Sequence, residues 1–173
     1  MLPLGGTARS AKGVHMSRAT IEKLYAAFAK LDSDTMATCY ADNAAFDDEA
    51  FSLKGRAQVA GMWTMLCEAT KAKGRDVWKL EYRDVTERSA HWEARYRFSA
   101  TGRMVHNVIE AEFEFDSAGS IVRQRDRFDF WRWSRQALGP PGLLLGWSPL
   151  LRNKVRATAA KNLERFLASR KAA

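Results

Sequence analysis

The run from His91 to Trp131, HWEARYRFSATGRMVHNVIEAEFEFDSAGSIVRQRDRFDFW, decides the fold. Read at a period of two, it spells three consecutive strands. In the first, Trp92, Ala94, Tyr96 and Phe98 share one face, and His91, Glu93, Arg95 and Arg97 share the other. In the second, Ile109, Ala111 and Phe113 alternate with Glu110, Glu112 and Glu114; in the third, Val122 and Phe128 share a face opposite Arg123, Arg125 and Arg127. Thr101-Gly102 and Asp116-Ser117-Ala118-Gly119 read as the hairpin turns between them. The turn lengths set a register that opposes Glu112 with Arg123 and Glu110 with Arg125, a charged outer ladder. The apolar face is interrupted only by Asn107, Gln124 and Asp126. A carboxylate there costs roughly several kcal/mol unless it is partnered or hydrated, so these three mark a candidate pocket.

Working outward, residues 1–15 are rich in Gly, Ala, Ser and basic side chains and read as a disordered leader. Gly5, Gly6, Thr7, Arg9 and Lys12 interrupt any continuous apolar stretch of the kind a secretory signal needs. Ser17 reads as the N-cap of a helix carrying Ile21, Leu24, Tyr25 and Phe28, and Asp32 or Ser33 opens a second, short one. A short strand follows from Tyr40 to Asp48. A third helix is expected over Ala57–Lys71, with Val59, Met62, Trp63, Leu66 and Cys67 on one face, and a strand near Val77–Val85. Gly139-Pro140-Pro141-Gly142 breaks regular structure before Leu143-Leu144-Leu145, which with Trp147 are candidate lid residues. Pro149 then starts a last helix with Leu151, Val155, Ala159, Leu163, Phe166 and Leu167 along one side. The order predicts an α+β domain, a cone-shaped curved antiparallel sheet wrapped around N-terminal helices, over residues 16–135. Residues 136–173 add an apolar loop and a basic amphipathic helix.

The chain has 173 residues and a net charge of +8. That charge sits at its ends. Residues 149–173 carry Arg152, Lys154, Arg156, Lys161, Arg165, Arg170 and Lys171 against Glu164 alone, Arg9 and Lys12 account for the rest, and the central domain is neutral. No helix-turn-helix, zinc-finger or RNA-recognition pattern accompanies the charge, which disfavours a nucleic-acid partner. No apolar run approaches the ~20 residues of a membrane span. Cys39 and Cys67 lie far apart in expected helices and read as reduced core residues of a cytoplasmic protein. Three unclustered histidines give no metal-site signature, and no phosphate loop or dinucleotide fingerprint is present, so no cofactor is expected.

Two stretches resemble the nuclear transport factor 2-like superfamily, which includes ketosteroid isomerases, SnoaL-like polyketide cyclases and limonene epoxide hydrolases. One is Tyr40-Ala41-Asp42-Asn43-Ala44 with Phe46-Asp47-Asp48 and Gly55-Arg56; the other runs from Gly119-Ser120-Ile121 through Arg125-Asp126-Arg127-Phe128-Asp129. The resemblance covers about residues 18–133 and implies the fold, a largely apolar small-molecule ligand and a homodimer. It places Asp48 where ketosteroid isomerases keep their proton-shuttling base. Asp126 falls where epoxide hydrolases keep the aspartate that activates water. The chain departs from both patterns. The isomerase's oxyanion tyrosine corresponds to Leu24, beside Tyr25, and its oxyanion acid to Ala111. The epoxide hydrolase's arginine and second aspartate correspond to Trp92 and Ala94, and its tyrosine and asparagine to Phe46 and Asp48.

Asp126 is therefore the principal candidate base, set against an apolar wall of Tyr96, Ile109 and Phe128. The competing reading is a structural carboxylate bonded to Asn107, Gln124 or a helix N-terminus. Asp48 is either a second acid–base group or a turn residue in an acidic loop with Asp47 and Glu49. Asn107, Gln124, Tyr96, Trp92, Phe128, Tyr25 and Trp63 are the candidate substrate contacts. His91 and His106 fall outward by parity. A non-catalytic ligand-binding or association module is the alternative to an isomerase, cyclase or epoxide-hydrolase type of enzyme. A third reading is a membrane-surface or nucleic-acid binder working through residues 149–170; packing of that helix on the domain or on a second subunit is preferred to it.

Overall fold

The computed structural model describes residues 7–172, with side chains from Met16 onward. Its elements are helices α1 (Thr7–Ala29) and α2 (Ser33–Ala37), strands β1 (Tyr40–Asp47) and β2 (Ser52–Lys54), helix α3 (Arg56–Lys73), strands β3 (Lys79–Arg83), β4 (Ser89–Arg97), β5 (Met104–Phe115) and β6 (Ile121–Arg127), and helices α4 (Phe130–Leu138), α5 (Pro140–Leu145) and α6 (Pro149–Lys171). The six strands form one sheet in the order β2-β1-β6-β5-β4-β3. One face packs on α1 and α3; its core includes Ile21, Leu24, Phe28, Phe46, Met62, Trp63, Trp92, Ile109 and Phe113.

Several details differ from the sequence expectation. Helix α1 already runs at Thr7, where a disordered leader and a Ser17 N-cap were expected; residues 1–6 lie outside the described residues. The sheet is mixed, because β1 pairs with β6 in parallel while the other pairings are antiparallel. Alternation within a strand does not encode the direction of its neighbour, so periodicity could not reveal this. The last hairpin is shifted by one inward–outward repeat: Glu110 faces Arg127, Glu112 faces Arg125 and Glu114 faces Arg123. The register slips between Glu114 and Phe115, so Ile121 takes the buried place expected for Val122. A bulge of this kind resets parity.

Beyond β6 the chain does not continue as strand. Asp129 caps α4, its Oδ1 accepting from the Arg132 N–H at 2.9 Å. The domain boundary expected at 135/136 therefore cuts through a helix. The Gly-Pro-Pro-Gly segment is also helical rather than broken, with proline in the first turn, where its missing N–H does no harm. Gly142 permits α5 to lie against α4, since a Cβ there would come within 1.9 Å of the Ser134 carbonyl oxygen.

Helix α6 packs back on the domain. Leu151 and Val155 meet the small cluster of Val105, Phe130, Trp133 and Ala137, while Ala159, Leu163 and Leu167 meet the main core. A fully buried leucine such as Leu163 stabilises the docked helix by roughly 2 kcal/mol. Among the described residues no helix is long and apolar enough to cross a membrane.

Candidate functional site

Asp126 lies on the inner face of β6, opposite Ala111 of β5, with only 4 % of its surface exposed. Gln124, fully buried two residues earlier on the same face, holds it. The Gln124 Nε2 donates to Asp126 Oδ1 at 2.9 Å, and its Oε1 accepts from the Tyr40 hydroxyl at 2.5 Å. The Tyr40 oxygen in turn accepts from the Trp63 indole N–H at 2.8 Å. This relay fixes the Gln124 amide, because the oxygen that takes the tyrosine proton leaves only the NH2 for the carboxyl. Burial pushes the Asp126 pKa up to about 8; the Gln124 bond opposes the rise, the charge of Asp48 adds to it and the Trp92 indole opposes it.

Asp48, half-buried, directly follows the last residue of the neighbouring strand β1, and its charge raises the Asp126 pKa. Phe46 pairs with Gln124 and Asp47 with Arg125 in the parallel ladder. The residue that follows, Asp48, then falls alongside Asp126, with the inward parity of buried Ala44 and Phe46. Its Oδ1 also accepts the Ala50 and Phe51 N–H groups, at 2.7 and 2.6 Å, so it is a turn residue as well. Burial pushes its pKa up to about 6, against the two backbone N–H groups and Arg156; Glu49 adds to the rise. Arg156 of α6 donates to the carbonyls of Asp48 and Glu49 at 2.8 and 3.1 Å, and Arg152 pairs with the Glu49 carboxylate at 3.3 Å. The last helix thus holds the loop that carries Asp48.

The other candidates divide. Tyr25 is buried; burial, then the nearby charge of Asp126, pushes its pKa well above the ordinary tyrosine value. Its hydroxyl and the Trp92 indole N–H are the two buried side-chain groups that find no hydrogen-bond partner among the described residues. The Trp92 N–H lies near enough to favour a charged Asp126, yet forms no hydrogen bond with it. Tyr96 accepts from the Trp133 indole N–H at 2.9 Å and lies, with Phe128, where the two apolar clusters meet. Burial first, and then Asp48, pushes its pKa to about 12. Asn107 is half-buried opposite Ala94, with the inward parity, but bonds to neither Gln124 nor Asp126 among the described residues. Tyr40 and Arg156 join the site without having been singled out for it by the sequence. Tyr40 matches the inward parity of β1, whereas nothing local announces a contact made across 108 residues.

The interior beside Asp126 is closely filled. Tyr25 stacks on Tyr82 and tilts against Trp92, and Phe28 and Phe46 meet Trp63 edge-on. Two surface depressions lie elsewhere, one on the outer sheet face around Glu112 and Arg125 and one between α2 and α3 around Asp42 and Arg56. Leu143, Leu144, Leu145 and Trp147 do not form a lid, being exposed. Among the described residues no three His, Cys, Asp or Glu side chains converge as metal ligands would.

A mixed six-stranded sheet packed on helices is an arrangement met elsewhere. Residues 21–124, more than half of the chain, match the SnoaL-like domain family. The chain belongs to that family. This SnoaL-like domain carries Asp48 inside the matched span and Asp126 just beyond it. Solved structures share the nuclear transport factor 2-like fold. A candidate polyketide cyclase of Xanthomonas campestris pv. campestris is 18% identical, with a TM-score of 0.55 covering 72% of this chain and 98% of its own. An LEH-like epoxide hydrolase of M. tuberculosis is 18% identical, with a TM-score of 0.52 over 76% of this chain and 94% of its own. A protein of Catenulispora acidiphila with a ketosteroid isomerase-like fold, solved in complex with trimethylamine, is 16% identical, with a TM-score of 0.51 over 75% of this chain and 97% of its own. No curated protein matches the sequence. At these identities the likeness is one of fold.

Proposed function

We propose that this SnoaL-like domain performs cofactor-independent acid–base chemistry on a small, largely apolar molecule bearing one oxygen function. The observation that carries the proposal is the pairing of two inner-face carboxyls with different proton affinities, Asp48 at about 6 and Asp126 at about 8. Near neutral pH the first is mainly ionised and the second mainly protonated. The roles anticipated from the sequence are thereby exchanged: Asp48 is the base, and Asp126 is the acid. Two carboxyls set apart in this way can divide a proton transfer between them. Asp48 takes a proton from the carbon next to a carbonyl, and the electron pair moves to the carbonyl oxygen. Asp126, with the unpartnered Tyr25 hydroxyl and Trp92 N–H, donates to that developing oxyanion. Where a carbon–carbon double bond is conjugated with that enolate, return of the proton from Asp48 to its far carbon re-forms the carbonyl, Asp126 recovers its proton, and an isomerisation is complete.

The closely packed aromatic interior favours a second reading, a non-catalytic association module. One experiment separates them. Apolar ketones and epoxides are titrated while the tryptophan fluorescence is followed, since Trp63 and Trp92 both stand at the site, and product formation is measured over pH. The acid–base reading expects saturable quenching and a bell-shaped rate between about pH 6 and 8, abolished by Asp48→Asn. Neither quenching nor turnover across the panel supports the module.

A further inference from the structure

The corner where α4, α5 and the start of α6 meet exposes an apolar surface that the proposed chemistry does not use. Leu144 is 68 % exposed, Trp147 71 % and Leu150 74 %, with Trp131, Leu143 and Leu145 also open to solvent. The packing beneath holds them together. The Trp131 indole N–H donates to the Leu143 carbonyl at 3.2 Å and that of Trp147 to the Leu144 carbonyl at 2.9 Å. Both indoles thus have their polar edge satisfied by the protein while their rings stay open to solvent. Apolar side chains gathered in this way on the surface of a folded domain mark a contact site.

The charge around the corner identifies its partner. Between Asp129 and Glu164 the sequence holds no acidic residue but has Arg132, Arg135, Arg152, Lys154, Arg156 and Lys161. Arg152 and Arg156 are engaged with the Asp48–Glu49 loop. Arg135 lies over the Trp131 ring at 4.6 Å. Lys154 follows Leu150 by one turn of α6 and Lys161 follows by two more, so both lysines share the exposed face of Leu150. A second copy docking by the same corner would set this cationic rim against itself. Tryptophan and leucine tips framed by Lys and Arg suit the headgroup boundary of an anionic bilayer, where rings and aliphatic tips enter and the cations meet phosphates.

We propose that this corner, centred on Leu144, Trp147 and Leu150, docks the domain on an anionic phospholipid surface. The full chain is sedimented with vesicles of phosphatidylcholine alone and of phosphatidylcholine containing phosphatidylglycerol, at low and high salt. Binding is expected only with phosphatidylglycerol present, and it weakens as salt rises. The double variant Trp147→Ser/Leu150→Ser is expected to lower partitioning on the order of tenfold or more. Lys154→Glu/Lys161→Glu keeps the apolar tips and should weaken binding to the anionic vesicles in the same direction; both pairs are exposed, and unchanged circular dichroism and melting confirm their folds. Absence of binding to phosphatidylglycerol vesicles at low salt would overturn the proposal, as would binding that the Trp147/Leu150 variant retains. A concentration-dependent dimer in ultracentrifugation that this variant abolishes would assign the corner to a second copy and overturn it equally.

Discussion

The two faces of this sheet treat carboxylates in opposite ways. On the outer face Glu93 accepts from His106 Nε2 at 2.7 Å and from His91 Nε2 at 3.0 Å, and those bonds hold its pKa down at about 2. Burial works against a charged His91, but its bonds to Glu93 and Glu110 outweigh that and raise its pKa. On the inner face Asp126 has the Gln124 amide as its one formed hydrogen bond among the described residues, and burial drives its pKa up to about 8. Side chains of one chemical kind, on strands β4 and β6 of one sheet, are driven in opposite directions by paired histidines on one face and by burial on the other. On the outer face the partners of Glu93 favour its charged form; on the inner face burial favours the protonated form of Asp126.

The largest way to break the contrast is Asp126→Asn. A buried carboxyl protonated in the folded state and ionised in the unfolded one makes stability fall as pH rises from the unfolded value near 4 to the folded value near 8. Below that window the contribution is fully present; above it, lost. The asparagine variant should therefore lose the decline and exceed the parent by roughly a few kcal/mol above pH 8, as read from urea unfolding at several pH values. An unchanged pH dependence would mean that Asp126 ionises freely.

Gln124→Leu attacks the support rather than the charge. It leaves the Tyr40 O–H proton without an acceptor, though Trp63 still donates to its oxygen, and Asp126 without its amide donor, a disruption worth about 1–3 kcal/mol in the interior. Chemical denaturation should show a loss within that range; no loss would mean that the relay has no part in stability.

Glu93→Gln sharpens the other side of the comparison. A lowered carboxylate contributes stability above the unfolded value near 4, which is lost as pH falls toward 2. The variant should show a shallower acid transition than the parent and lie below it at pH 8, opposite in sign to Asp126→Asn. Arg156→Ala is the mildest. Its guanidinium lowers the Asp48 pKa and holds the loop backbone, so its removal should move the Asp48 titration upward and the melting temperature by only a few degrees at most.

Much of this was readable in the chain. The alternation of Trp92, Ala94 and Tyr96 and of Ile109, Ala111 and Phe113 states which face is inside, and it set Gln124 and Asp126 there because a polar residue at an inward position breaks the pattern visibly. The register was not readable, since the turn pairs Phe115 with Ile121, one residue from the expected register, and the bulge at Val122 adds a second, so that Glu110 meets Arg127 rather than Arg125. The parallel pairing of β1 with β6, which carries Asp48 toward Asp126, depends on two strands far apart in sequence. Helix α4 was hidden because Phe128 and Phe130 continue the period-two pattern past the Asp129 cap. The exposed corner was the hardest to foresee. A leucine triplet reads as interior until the fold shows that Gly142 and Gly146, not the leucines, face Ser134.

Isotope-edited infrared or carbon-13 NMR titration of the Asp126 carboxyl, identified by subtraction of the Asp126→Asn spectrum, reaches the central claim most directly. A protonated carboxylic signal that persists at pH 7 and disappears near pH 8 is the predicted result. Conversion to carboxylate near pH 4 would contradict it, for a group that gives up its proton there cannot be the neutral acid on which the division of roles with Asp48 rests.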